Sequence, residues 1–510
     1  MPKVLLVVID AATPRVVCPA IRTGQLPTLQ RLLDAGDMHE ESVTIFPSIT
    51  PAATTSIITG CYPAEHGIAG ASWFDQTRQE VAYYGDDFWI IAREGFGEFI
   101  RDFLLRLNGD RLVAPTLFEL VERTGRRAAC LNYLVFRGLS AHKVNIPKLI
   151  AALPGVPYTE TVEGPSILSL GDFVGTSTPH GHKLAEEGGL LHRFGMDDES
   201  TGAMLRDLMR EGSLPDFTVA YFADNDYESH DIGPHAALKT VERVDRLLAD
   251  AFEAGGGIER VLSEMYVVVT SDHGHCEVLA DKPRSVVHLD TLLSGFAQAA
   301  LGRAWRKQDE IMICPNMRAA QIYLQHPRCE TAERVISGLL GDRRVDLVIW
   351  RSELTAAADT GYSVASRHGR LRFCRADSLQ GGTQVRDAFG ATWTWTGDPG
   401  VLDIQCSDGE LCTGQFPNAF ERLAGVLDLD KSGEFWVTAR PGSEFEVPGG
   451  RAHVGGASHG ALHALDSYSP VLVAGPTRVR LPDHMRSLDV APLCMQLLGL
   501  EMRYNVGDPR

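Results

Sequence analysis

The chain has 510 residues, 44% hydrophobic and 22% charged, and its 48 Lys and Arg against 66 Asp and Glu leave a net charge of −18. That composition excludes a disordered, collagen-like or disulfide-scaffold protein, and a field of that sign repels polyanions, so no nucleic acid polymer is expected as a partner. No apolar run approaches the ~18 residues that span a bilayer, and the ten cysteines include no C-x-x-C pair, so the expectation is no membrane partner and reduced thiols in a cytoplasm.

In chain order, the first predicted element is a buried strand over Val4–Ile9 that closes on Asp10. A helix follows over Leu26–Ala35, with apolar residues at Leu29, Leu32 and Leu33. The hydroxyl-rich stretch from Thr44 to Gly60 leads from a Pro-bounded loop into a second helix, with Thr50 ahead of Pro51 at the usual place of an N-cap. Next come a strand over Ala128–Phe136, a small insertion over about 139–215, a strand over Phe217–Phe222, a helix over Ala236–Ala254 and a strand over Tyr266–Thr270. From 292 to 450 the pattern changes to strands at Arg318–Gln325, Asp346–Arg351, Arg370–Arg375 and Phe435–Ala439, punctuated by Gly and Pro, which reads as an inserted α+β cap. A strand over Pro470–Ala474 and a helix over Leu488–Leu498 close the chain. Alternating strands and helices imply an α/β core with a mostly parallel sheet, carried by 1–291 and 451–510 and split by the cap.

Polar residues gather just past these strands. Asp10 ends the first one, where open α/β sheets hold their ligands, although alone it reads equally as a helix N-cap. Asp272 and His273 follow the Tyr266–Thr270 strand, and Asp226 and His230 follow Phe217–Phe222 at a spacing of four, which puts both on one side of a helical turn. His459 stands ahead of the Pro470 strand. Singly, each reads as a turn or a cap. Three carboxylates and three imidazoles together would repel or go unpaired without a cation, and mixed N/O donors suit two divalent ions of the Zn, Mn or Fe kind better than Mg or Ca. Thr50 is the nearby nucleophile candidate, because a helix N-terminus that it caps also favours an anion. His235, His275 and His463 lie near these motifs and read either as supports of the ligands or substrate contacts or, as is commoner for such residues, as solvated side chains.

The blocks VLLVVIDA, FPSITPAATTSIITGCYPAEHGI, YFADNDYESHDIGP, VVVTSDHGH and GASHG, with the closing LDVAPLCMQLLGL, resemble the alkaline phosphatase superfamily and, within it, the type I phosphodiesterase/nucleotide pyrophosphatase family. The resemblance implies an alkaline-phosphatase-like sandwich, a mostly parallel sheet flanked by helices. It implies that Asp10, Asp272, His273 and Thr50 hold one ion and Asp226, His230 and His459 the other, with zinc expected and manganese or iron as alternatives. Thr50 would then attack phosphorus in a small-molecule phosphate ester and form a covalent phosphothreonine.

Two departures bear on substrate. The family's aromatic residue after the nucleophile is Pro51 here, although Tyr221 matches its partner in the base clamp, and the phosphate-binding Asn position is Ala71. Ser72 and Arg137 are the candidates to take over that phosphate contact. A phosphomonoesterase or phosphonate hydrolase of the same superfamily is the alternative reading, and a non-catalytic metal-binding protein is the alternative of another class. No C/S-x-P-x-R context supports a sulfatase, the Ser-centred motif of the cofactor-independent phosphoglycerate mutases is absent, and the oligomeric state is left open.

Overall fold

Six of the seven residues of β1 (Lys3–Ile9) are buried, as a strand requires when both faces of its sheet are covered. The computed structural model describes residues 2–85, 96–146, 161–175, 190–356, 360–375, 379, 381–407, 409–448 and 450–502. The other strands of this sheet are β2 (Asp37–Val43), β3 (Ala128–Leu131), β4 (Ile167–Ser169), β5 (Phe217–Phe222), β6 (Met265–Thr270) and β7 (Tyr468–Ala474), in the order β2-β7-β6-β1-β5-β3-β4. From β6 to β4 all pairings are parallel, while β7 runs antiparallel to β6 and β2 antiparallel to β7. The sheet is thus mostly parallel, as expected.

Alternation along β1 sends Val4, Leu6 and Val8 to one face and Leu5, Val7 and Ile9 to the other. On the first face they meet Ile57 and Ile58 of α1 (Thr50–Thr59) and Val490 and Cys494 of the helix Val490–Leu497. On the second they meet Leu29, Leu205 and Val244 from the helices Pro27–Ala35, Asp198–Arg210 and Pro234–Ala254.

The strand expected over Ala128–Phe136 stops at Leu131. Asn132 turns the chain at a φ of 59°, and its side-chain amide donates to Gly195 O and Thr201 Oγ1, both at 2.9 Å. The stretch 139–215 falls partly outside the described residues, and its described part joins the core, supplying edge strand β4 and the helix Asp198–Arg210.

Between 311 and 439 a second, ten-stranded sheet forms, and the four strands expected there occur as Ala319–Leu324, Val345–Arg351, Gly369–Arg375 and Phe435–Ala439. One of its ties to the core runs through Arg318. Arg318, fully buried, pairs with Asp466 and donates to Ser443 O and Ala439 O, while its backbone N–H donates to His459 O at 2.9 Å. No disulfide joins any of the ten cysteines, and among the described residues no helix is long and apolar enough to cross a membrane.

Candidate metal and nucleophile site

Strand direction brings the polar residues to one rim. β5, β1 and β6 are adjacent and parallel, so Asp10, α2 (Asp224–Ile232) and the Asp272–His275 turn all leave the sheet at its C-terminal edge. β7 runs the opposite way, so the segment carrying His459 enters at that same edge. β2 opposes β7 and ends there too, at Val43, from which a short loop reaches Thr50. All seven expected ligands are thereby gathered.

One group consists of Asp10, Asp272 and His273, all buried. His273 Nε2 lies 3.3 Å from Asp272 Oδ2, 3.7 Å from Asp10 Oδ1 and 3.1 Å from Thr50 Oγ1. Asp272 Oδ1 accepts from the backbone of Ala11 at 3.2 Å and of His273 at 3.0 Å, which leaves Oδ2 free to face the group. Thr50 is the first helical residue and Ile49, in extended conformation, takes the cap position. The Thr50 hydroxyl therefore does not cap α1. The N–H groups of Ala52 and Ala53 bond to Ile49 O and Pro51 has none, so the helix start offers fewer anion donors than the sequence suggested.

The second group is Asp226, His230 and His459, joined by His275. Asp226 Oδ2 lies 3.4 Å from His230 Nε2, and Asp226 Oδ1 lies 2.9 Å from His275 Nε2 and 3.6 Å from His459 Nε2. The His273 and His459 rings stack with centroids 3.7 Å apart, which links the two groups. His230 Nδ1 and His459 Nδ1 lie 2.8 and 2.9 Å from the carbonyls of Ala457 and Ser48. A carbonyl only accepts, so Nδ1 carries a proton in both rings and Nε2 is the nitrogen turned to the group.

Charge follows geometry here. Burial raises the Asp10 carboxyl well above its ordinary range, and Asp272 and Asp226 push it the same way. Burial would also raise Asp226, but His230 beside it holds that carboxyl well below its ordinary range. His230, which burial alone would lower, is carried up to about 9 by Asp226. Burial pushes His275 down to about 3, and burial with His273 holds His459 well below 6.5.

Of the three expected substrate contacts, Arg137 and Ser72 are engaged by other partners, while Tyr221 lies against Asp10. Arg137 spends its guanidinium on Glu119 at 2.9 Å and on the carbonyls of Leu112 and Ala114, because that turn leaves two carbonyls and a carboxylate to satisfy. Ser72 is buried in the strand Ser72–Asp75, with its backbone N–H and C=O bonded to the Asn316 side chain at 3.2 and 2.9 Å. Tyr221 is buried and donates its phenol to Asp10 Oδ2, so its ring is not free to clamp a base. His275, expected to be solvated, is fully buried instead: the turn holding it is tied to Thr13 and Asp466, both distant in sequence. Its only local signal is the i, i+2 spacing from His273.

A phosphonoacetate hydrolase from Sinorhizobium meliloti 1021, solved in complex with phosphonoformate, matches with a TM-score of 0.58 and 18% identity, covering 98% of this chain and 96% of its own. Murine ectonucleotide pyrophosphatase/phosphodiesterase 5 matches with a TM-score of 0.57 and 13% identity, covering 99% and 97%. A 2,3-bisphosphoglycerate-independent phosphoglycerate mutase from Wolinella succinogenes is 39% identical over 79 residues, a stretch that is 16% of this chain and only 15% of the mutase. The type I phosphodiesterase/nucleotide pyrophosphatase family matches over residues 4–378, and the chain belongs to that family of metal-dependent phosphoric ester hydrolases.

Proposed function

We propose that the protein hydrolyses a small phosphodiester, with Thr50 as nucleophile and two divalent cations as cofactors. The donor set fits such ions: Asp10 Oδ1, Asp226 Oδ1, Asp272 Oδ2 and Nε2 of His230, His275 and His459 are all buried without a hydrogen-bond partner. Asp10, Asp272, His273 and Thr50 would hold one cation and Asp226, His230 and His459 the other, and zinc suits their mixed imidazole and carboxylate donors. Such ions would supply a positive field that favours the deprotonated hydroxyl and polarises a phosphoryl oxygen.

The remaining chemistry belongs to the chain. Thr50 Oγ1, 3.1 Å from His273 Nε2, attacks phosphorus in line, and the bond from phosphorus to the leaving alcohol breaks as that alcohol gains a proton. Water then breaks the Oγ1–P bond, restoring the hydroxyl and releasing the phosphate monoester. Tyr221 and the Asn225 amide, which donates to Asp10 O at 2.8 Å, keep Asp10 aimed at the reacting centre.

The preference for a diester rests on one observation. Among the described residues no Lys or Arg side chain pairs with the Thr50 hydroxyl or with a carboxylate or imidazole of the two groups, Arg15 reaching only the backbone carbonyl of His275, so no described cation offsets the second negative charge of a monoester. Pro51 and the inward-turned Tyr221 argue against a stacked nucleobase. Ten cysteines without a disulfide are consistent with a reducing cytoplasm. The test is a parallel assay of the metal-reconstituted protein on bis-p-nitrophenyl phosphate, p-nitrophenyl phosphate and phosphonoacetate. Diester turnover should dominate, whereas faster release of phosphate from either of the other two would move the assignment to a monoesterase or a phosphonate hydrolase.

A further inference from the structure

We propose that His275 is a fourth protein ligand to the cation of the Asp226 group, which makes the two cation sites chemically unequal. This rests on the two-cation reading above and adds to it a residue and an order of filling.

Three observations converge on His275. Its ring is fully buried, and Nε2 lies 2.9 Å from Asp226 Oδ1, the shortest of the imidazole approaches to that carboxylate. Both atoms lack a hydrogen bond of acceptable geometry, as do Nε2 of His230 and of His459, so four donor atoms of one group are left without partners around one point. The far side of the ring is held: Nδ1 lies 2.6 Å from Ser229 Oγ, on the same helix as Asp226 and His230. With Ser229 accepting, the lone pair of His275 Nε2 faces a carboxylate oxygen, a repulsive arrangement that a shared cation relieves.

The consequence is a difference in kind. Asp226, His230, His275 and His459 offer three imidazoles and one carboxylate, a set that favours zinc. Asp10, Asp272, His273 and the Thr50 hydroxyl offer mainly oxygen, which binds zinc less strongly and tolerates manganese. The imidazole-rich site fills first and holds its ion. The oxygen-rich site, which carries the nucleophile, exchanges.

The experiment is a calorimetric titration of the metal-stripped full-length protein with zinc chloride, repeated with cobalt chloride to follow the visible d–d bands, on wild type, His275→Ala, His275→Gln and Ser229→Ala. Wild type should take up two zinc ions in two resolved steps. His275→Ala should weaken the first step by ~100-fold or more while sparing the second, because losing a direct ligand costs at least what losing its support does. His275→Gln keeps an N–H near the Nε2 position that can hold Asp226, so it should behave like His275→Ala if the residue is a ligand. Should either variant fail to fold, Ser229→Ala, which frees the ring, should weaken the first step by ~10-fold.

First-step affinity and cobalt bands in His275→Gln that equal those of wild type would overturn the proposal, leaving His275 as a positioning residue for Asp226. Two equal steps in the wild type would overturn it as well. A wild type that binds no cation would instead remove the two-cation reading on which it stands.

Discussion

At the scale of single residues, Thr50 is set apart by its partner, a hydroxyl 3.1 Å from His273 Nε2 at the head of a helix whose other threonines bond back to their own helix. Thr54, Thr55 and Thr59 each donate to the carbonyl four residues back, which leaves them no role in chemistry. Thr50→Ala should therefore lower kcat by at least ~1,000-fold and cost far less in metal affinity, as measured by diester turnover beside metal content. Arg137→Ala should do the reverse. Its guanidinium holds Glu119 and two carbonyls, so thermal unfolding should show a loss of about 1–3 kcal/mol with kcat/KM unchanged. A collapse of kcat/KM in Arg137→Ala would place that residue on the substrate after all.

At the scale of elements, α1 is fixed by a group far from the cations. His66, buried, lies 3.1 Å from Ser56 Oγ through Nε2 and accepts from the Ile68 N–H through Nδ1 at 3.1 Å. Burial pushes its pKa from 6.5 down to about 3, and a second ring proton would meet the Ile68 N–H. The unfolded chain thus binds this proton more readily than the folded one. The stability contributed by neutral His66 is full above pH 6.5 and is lost as pH falls toward 3, on the order of a few kcal/mol across the window. Thermal unfolding of the chelator-treated protein between pH 7 and 4 should therefore slope less steeply in His66→Gln than in wild type; equal slopes would assign the acid sensitivity elsewhere.

The elements also explain what the sequence could and could not disclose. Asp10, Asp226, His230, Asp272 and His273 each sit within ten residues of a buried strand, so local pattern alone put them at strand ends, and parallel pairing did the rest. Tyr221, Ser72 and Arg137 were assigned by position along the chain. Their placement follows partners that no local pattern reveals: Asp10 for the Tyr221 phenol, Asn316 for the Ser72 backbone, and Glu119 with two carbonyls for the Arg137 guanidinium. His275 was passed over for the same reason, since its burial depends on Thr13 and on Asp466. The strand end at Leu131 hung on a single left-handed Asn132.

At the scale of the whole molecule, the rim joins segments from both ends of the chain, and the second sheet is fastened to it through Arg318 and Asp466. Cations held there would bind the folded chain and not the unfolded one, so chelation should lower the melting temperature and zinc at ~100 times its Kd should restore about 2.7 kcal/mol. A melting temperature indifferent to chelator would argue that the partnerless carboxylates and imidazoles are satisfied in another way. The central claim is more specific than metal binding: Thr50 itself carries the phosphoryl group between substrate and water. Rapid acid quench during diester turnover, followed by peptide mass spectrometry, reads this directly. The account predicts a phosphoryl adduct on Thr50 that is absent from Thr50→Ala; turnover with the adduct on another residue, or undiminished turnover in Thr50→Ala, would contradict it.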